Sequence, residues 1–294
     1  MAVLTSSRRS GASGLLAVPA LVFFVVFALV PLAGALVLSF AEWDGLGEVG
    51  WAGLGNWAAE LTDPLTGQAL LLTLKIMVVS WLVQTPISLL LGVFTAGTQR
   101  YRALLAVLYF VPLLLSSAAV AIAFKAILDP NFGVGGAIGF LAQDWLGDPD
   151  LVLYVVIFVI AWQFVPFHTL LYQAGVRQIP VSLYEAATID GANRWQQFRH
   201  ITLPQLRYTI VTSSTLMLTG SLTYFDVVFV LTGGGPGTAT RLLPLDMYLT
   251  GFAANDMGGA SVLAVILVVA GLGLALVLTR FSGFARMRSE QEGL

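Results

Sequence analysis

The chain contains no cysteine, only two histidines and 10% charged residues. Without cysteine it can form neither disulfide bridges nor thiolate metal sites. It also lacks a phosphate-binding loop, because no Lys-Ser or Lys-Thr pair follows the glycine run Gly233–Gly235. We therefore expect no metal site, no cofactor bound by this chain and no nucleic-acid partner.

Apolar residues dominate the sequence instead. A hydrophobic content of 57% and a mean hydropathy of +0.87 over 294 residues exceed what a soluble domain buries in one core. A helix of at least about 18 apolar residues can cross roughly 30 Å of hydrocarbon. The pattern predicts an all-α polytopic membrane protein with six transmembrane helices, at Leu15–Phe40, Ala69–Ala96, Ala103–Leu128, Leu151–Val176, Tyr208–Leu231 and Ser261–Leu278.

The first apolar run has two interpretations. Arg8 and Arg9 precede it, and Ala33-Gly34-Ala35 has the form of a signal-peptidase site. The run nevertheless continues past that triplet, whereas the apolar core of a signal peptide has about 7 to 15 residues. We therefore expect an uncleaved first helix, with tails at residues 1–14 and 282–294 and a membrane domain at residues 15–281.

The distribution of positive charge predicts the orientation, because Lys and Arg near helix ends are retained in the cytoplasm. On one side lie Arg8 and Arg9, Arg100 and Arg102, then Arg177, Arg194, Arg199 and Arg207, and finally Arg280, Arg286 and Arg288. The opposite connections contain Arg241 and many acidic residues. Both termini are predicted to be cytoplasmic, in a multi-pass cell-membrane protein.

A polar, helix-like segment, residues 180–206, lies between the fourth and fifth predicted helices and therefore in the cytoplasm. Ser182 followed three residues later by Glu185 has the capping-box form that begins a helix. Asp190 and Gly191 form a turn signal, and glycine tolerates the positive φ angle that such a turn requires. A second short helix is predicted after the turn.

This segment carries a recognisable pattern. Glu185-Ala186-Ala187, Asp190-Gly191-Ala192 and, after eight further residues, Ile201-Thr202-Leu203-Pro204 resemble the EAA signature of permease subunits in binding-protein-dependent ABC importers. We therefore call residues 180–206 the EAA segment. The resemblance extends over most of the chain, including Gly53-Leu54-Gly55-Asn56-Trp57 and Ala161-Trp162-Gln163. Leu231–Pro236 is similar to the form found in carbohydrate importers, in the MalF/UgpA-like permease of each pair.

The resemblance implies a division of labour. In this family the EAA segment docks on a cytoplasmic ATPase, so that closure of two ATPases around ATP opens the two permeases outward. The implied partners are a second, MalG-like permease, two ATPase subunits that bind ATP and Mg²⁺, an extracytoplasmic solute-binding protein and membrane lipid. The residues that the resemblance assigns to ATPase coupling are Glu185, Ala186, Ala187, Asp190, Gly191, Ala192, Ile201, Leu203 and Pro204.

The substrate path is predicted from ionisable and aromatic residues inside the spans. Asp226 lies in the fifth predicted span, where an ionisable group is a functional candidate by default. Tyr224 and Phe225 beside it, with Trp162 and Gln163 in the fourth span, offer aromatic faces and hydrogen-bonding groups suited to a sugar. A hydrogen bond to the helix of a partner chain is the alternative explanation of Asp226.

Two other classes of protein are alternatives to an importer of sugars or glycerol-phosphate-type solutes. An intramembrane aspartyl protease needs two facing acids, but only Asp226 lies in a predicted span, and no nucleophile motif accompanies His168. We therefore assign no catalytic residue and expect a transport subunit rather than an enzyme. An ion-coupled secondary transporter is the alternative; it needs no docking segment and usually shows a repeated half, of which this sequence has no convincing sign.

Overall fold

The computed structural model describes residues 10–97, 99–134, 138 and 143–281. Residues 1–9 of the predicted N-terminal tail and the predicted C-terminal tail, 282–294, lie outside the described residues. In the described part, the regular secondary structure is helical except for one pair of two-residue strands; turns and irregular connections join these elements. The backbone divides into two compact units, one containing residues up to Thr62 with 247–266 and the other containing 63–246 with the residues from 267 onward.

The first unit is built around a long apolar helix and a short hairpin. Its elements are α1 (Ser10–Phe24), a π-helical turn (Val25–Leu29), α2 (Val30–Leu38), β1 (Ala41–Glu42), β2 (Gly50–Trp51) and α3 (Gly55–Thr62). The strands are antiparallel, with Ala41 opposite Trp51. The unit also contains a second π-helical turn (Leu249–Ala253) and the first residues of the last helix (Met257–Phe281).

Side chains from α3 hold the hairpin in place. Asn56 Nδ2 donates hydrogen bonds to the carbonyls of Ser39 (3.2 Å) and Ala41 (2.7 Å), and Trp57 Nε1 donates to Ser39 Oγ at 3.1 Å. Gly258 leaves room for this arrangement, because a Cβ there would collide with the Ala41 carbonyl and the Asn56 amide. Asn56 and Trp57, two residues of the family resemblance, thus have a structural role.

The second unit contains the remaining helices. In chain order these are α4 (Pro64–Thr95), α5 (Arg100–Leu114), α6 (Ser117–Ile127), α7 (Val152–Arg177), α8 (Val181–Ile189), α9 (Arg194–Gln197), a π-helical turn (Phe198–Thr202), α10 (Leu203–Gln205), α11 (Arg207–Ser221) and α12 (Asp226–Leu231). Helix α13 (Leu243–Tyr248) crosses the boundary between the units, and α14 is Met257–Phe281.

Helices α4 and α7 form the main helix pair of this unit. The buried face of α4 is mostly small or polar and repeats every three or four residues: Thr66, Ala69, Thr73, Ile76, Ser80, Gln84, Ser88, Gly92 and Thr95. Small residues let membrane helices approach closely, and polar ones form hydrogen bonds across the seam. At one end of this face Gln173 Nε2 donates to the Thr95 carbonyl at 2.8 Å.

Four described helices are long and apolar enough to cross a membrane: Ala17–Leu38, Pro64–Thr95, Val152–Arg177 and Met257–Arg280. They correspond to the first, second, fourth and sixth predicted spans. The third predicted span is instead a pair of helices, Leu104–Leu114 and Ser117–Ile127, bent by 98°. The fifth is interrupted at residues 222–225, between α11 and α12. The prediction of one continuous helix is wrong at these two places.

Candidate functional site

The EAA segment folds as the predicted helix-turn-helix, but its cap lies elsewhere. Helix α8 starts after Pro180 without a side-chain cap, so Ser182 and Glu185 do not form the expected capping box. The capping box belongs to α9, where Asn193 Oδ1 accepts from the Gln196 backbone N–H (2.9 Å) and Gln196 Oε1 accepts from that of Asn193 (2.8 Å). Pro180 is itself the N-cap residue of α8, so Ser182 is the second residue of the helix rather than its cap.

The turn after α8 depends on a glycine. Gly191 has a φ of +79°, and its N–H donates to the Thr188 carbonyl at 3.1 Å. The N–H of Ala192 donates to the Ala187 carbonyl at 2.8 Å. These two bonds form a Schellman motif, which ends a helix with one left-handed residue. The predicted turn at Asp190-Gly191 is therefore confirmed, together with the reason for its glycine.

Side-chain hydrogen bonds hold the two halves of the EAA segment together. The hydroxyls of Tyr184 and Thr202 lie 2.9 Å apart, and Thr202 is only 3% exposed. Gln197 Nε2 donates to Thr188 Oγ1 (3.0 Å) and to the Ala192 carbonyl (3.1 Å). These bonds fix the two halves of the segment relative to each other. The segment is connected to the rest of the unit through α7 before it and α11 after it.

The residues assigned to coupling fall into two groups. Ala187, Asp190, Gly191, Ala192 and Ile201 line one cavity of about 310 Å³ at the turn. Outside it, Glu185, Ala186 and Pro204 are exposed and Leu203 is half-buried. Two large apolar side chains near the turn are also exposed, Ile189 (86%) and Trp195 (64%).

A second candidate site is a cavity of about 450 Å³ lined by α7, α11 and the break between α11 and α12. We call it the α7–α11 cavity. It brings together Tyr224, Phe225 and Asp226 from the predicted path with Phe164 and His168. Asp226 is exposed at the first position of α12 rather than inside a continuous span. The interruption of the fifth predicted helix thus presents this carboxylate to the cavity.

Ring stacking and a hydrogen bond fix the orientation of two side chains of the α7–α11 cavity. The ring of Tyr224 stacks on Phe164 with centroids 6.2 Å apart. Nδ1 of the buried His168 lies 3.0 Å from Ser213 Oγ. Phe164 and His168 were not predicted as path residues, although their spacing of four along one helix indicates a shared face.

Trp162 and Gln163 do not line the α7–α11 cavity. Trp162 faces an apolar groove of about 700 Å³ beside α4 and α5, and its ring meets that of Phe124 edge-on at 5.2 Å. Gln163 is 3% exposed, and its Nε2 donates to the Leu115 carbonyl at 3.2 Å. This bond satisfies a backbone group freed where the α5–α6 pair bends.

The glycine-rich segment after α12 is held by threonines. Thr232 Oγ1 lies 2.7 Å from Thr240 Oγ1, which also donates to the Gly235 carbonyl at 2.9 Å. Arg241 Nε and Asp246 Oδ1 form an ion pair at 2.6 Å. Burial raises the pKa of Asp246 above its ordinary value, and the adjacent Arg241 limits the rise.

Among the residues that the structure describes, no cluster of three or more His, Asp or Glu could hold a metal ion.

Comparisons with known proteins extend over nearly the whole chain. The family model described as binding-protein-dependent transport system inner membrane component matches residues 88–284. The chain is 34% identical to the probable ABC transporter permease protein YurN of Bacillus subtilis, with 90% of this chain and 93% of that protein covered. It is 30% identical to the arabinooligosaccharides transport system permease protein AraP of the same organism, with 94% and 90% covered.

A solved structure has the same fold. One chain of a bacterial ABC transporter involved in the import of the acidic polysaccharide alginate superposes with a TM-score of 0.82. The superposition covers 96% of this chain and 98% of that one, at 23% sequence identity.

Proposed function

Because this chain belongs to the family of binding-protein-dependent transport system inner membrane components, we propose that it forms half of the translocation path of an ATP-driven sugar or oligosaccharide importer. As a transport subunit it performs no chemistry of its own. The sugar class is supported by relatives such as the arabinooligosaccharide permease and by the aromatic lining of the α7–α11 cavity. Stacked aromatic rings and neutral hydroxyls suit the alternating apolar and polar faces of a pyranose.

The observation that carries this proposal is the geometry of the EAA segment. Side-chain hydrogen bonds connect its two halves, and Gly191 in a left-handed conformation ends its first helix, α8. Two large apolar side chains, Ile189 and Trp195, are exposed on it. A rigid unit of this kind can transmit a displacement of a docked ATPase to α7 and α11, which flank it in sequence. We propose that it docks on an ATPase subunit, which binds ATP and Mg²⁺.

The proposed arrangement in the membrane has six spans with both termini in the cytoplasm. The bent α5–α6 pair and the interrupted α11–α12 pair would each complete one crossing, because broken helices are accommodated where their backbone is buried in protein. The arginine distribution supports a cytoplasmic position of the EAA segment in this arrangement. The proposed partners are a second permease, two ATPase subunits and an extracytoplasmic binding protein.

The direct test is purification of the tagged chain from its native membrane in mild detergent, followed by mass spectrometry. We expect a second six-span permease and an ATPase to accompany it, and we expect the purified complex to hydrolyse ATP. A folded chain recovered alone from several detergents would contradict the proposal. Uptake driven by an ion gradient without ATP would favour a secondary transporter instead.

A further inference from the structure

The α7–α11 cavity contains one acidic side chain and no basic Lys or Arg side chain among its described lining residues. Among the described residues that line it, Asp226 is the one charged side chain. The other polar residues that line it include Ser117, Thr223 and Tyr224. Nδ1 of His168 lies 3.0 Å from the hydroxyl of Ser213.

No cation in the described part of the chain compensates the carboxylate. Asp226 forms no salt bridge with any residue that the structure describes. Neither Lys nor Arg is among the described residues that line the cavity. Lys75 lies over the Tyr154 ring at 5.1 Å, and Lys125 is exposed on α6. A negatively charged ligand would therefore meet a carboxylate without a guanidinium or ammonium group to pair with.

We propose that this cavity selects uncharged saccharides and disfavours anionic ones such as uronates. This inference rests on the proposed function and specifies its substrate class. The carboxylate oxygens of Asp226 accept hydrogen bonds from sugar hydroxyls, while the Tyr224 ring, supported by Phe164, provides a stacking face. A sugar carboxylate in the same place is repelled by Asp226, and hydroxyl groups alone do not compensate the loss of its hydration.

The fold by itself does not decide the charge of the cargo. The alginate transporter has the same fold as this chain and is involved in the import of an acidic polysaccharide. Discrimination must therefore come from side chains placed on that fold. In this chain the relevant side chain is Asp226, which the break between α11 and α12 presents to the cavity.

The test uses the purified complex of this chain with its co-purifying partners in nanodiscs, without binding protein. Maltotriose is the neutral probe and trigalacturonate the anionic one, each titrated by saturation-transfer NMR. We expect the wild-type complex to bind maltotriose at least about tenfold more tightly. Asp226→Asn, which keeps the side-chain shape, should reduce the preference to about threefold or less, and Asp226→Arg should reverse it.

Asp150→Arg is the matched control, because Asp150 is exposed in a connection outside the cavity. This variant should keep the wild-type preference. Equal or tighter binding of trigalacturonate by the wild type, a preference unchanged by both Asp226 substitutions, or binding of neither probe would overturn the inference. Retention of ATP hydrolysis and uptake in those cases would leave the proposed function standing, whereas a complex without ATPase activity would contradict that function itself.

Discussion

Gly191 is held in a left-handed conformation although there is ample space around it. Its φ is +79°, and apart from its own and its two adjacent residues no atom lies within 4 Å of the position that a Cβ would occupy. A side chain there would meet no steric obstacle from neighbours, so the cost of substitution arises from the backbone. That cost is about 1–2 kcal/mol for an ordinary L-residue and smaller for Asn.

We expect Gly191→Val to uncouple ATP hydrolysis from uptake, because the β-branched residue shifts the turn that positions α9 relative to α8. Gly191→Asn is the matched control, since Asn accepts positive φ and should retain most of the transport. The measurement is substrate uptake per ATP hydrolysed at equal amounts of membrane-inserted protein. Equal coupling in the two variants would show that the left-handed turn is not required.

Gln163 allows a structural role to be separated from a role in substrate binding. Its amide donates to the Leu115 carbonyl at the bend between α5 and α6. We expect Gln163→Leu to lower the free energy of unfolding in detergent by about 1 kcal/mol, because the Leu115 carbonyl loses its hydrogen-bond partner. The apparent affinity for substrate should change little in the protein that remains folded. A change in affinity with unchanged stability would assign Gln163 to the path instead.

At the level of elements, Gly92 is one of the small residues that allow α4 and α7 to pack closely. A Cβ on Gly92 would lie 2.6 Å from Tyr172 Cβ and 3.1 Å from the backbone nitrogen of Gln173. Neither neighbour is the end of a flexible side chain, so the two helices would have to separate. Gly67 lies on the same helix with no neighbouring atom within 4 Å of its Cβ position.

We therefore expect Gly92→Ala to destabilise the protein by about 1–3 kcal/mol through overpacking. Gly67→Ala should be neutral or stabilising by up to about 1 kcal/mol, because alanine favours the helix. Thermal denaturation of the two purified variants provides the comparison. Similar stability of the two variants would mean that α4 and α7 do not pack as closely as the structure places them.

At the level of the whole molecule, the absence of cysteine makes the orientation directly testable. Phe132 (94% exposed) lies in a predicted outer connection, and Ile189 (86% exposed) lies in the EAA segment. A membrane-impermeant maleimide should label Phe132→Cys in intact spheroplasts, and it should label Ile189→Cys only after permeabilisation and release of the docked ATPase subunit. The unmodified chain is the background control, since it contains no cysteine. Labelling of Ile189→Cys in intact spheroplasts would reverse the proposed orientation.

The sequence by itself determined the membrane class, the family and the turn at Gly191. Each of these depends on short-range properties. Hydrophobicity summed over a window decides whether a helix can leave water, and the φ preference of one residue decides where a turn can form. The EAA pattern is likewise contained within one segment, so its residues could be identified without knowledge of the rest of the fold.

The tertiary structure alone decided where helices break and which predicted path residues meet. Helix continuity at residues 115–116 and 222–225 depends on neighbouring groups that satisfy the freed backbone, such as Gln163. Trp162 and Gln163 are adjacent in sequence but face different surroundings, because successive residues of a helix point about 100° apart. The helix that each of these side chains meets is determined by packing between segments that are distant in sequence. It therefore cannot be predicted from the local sequence.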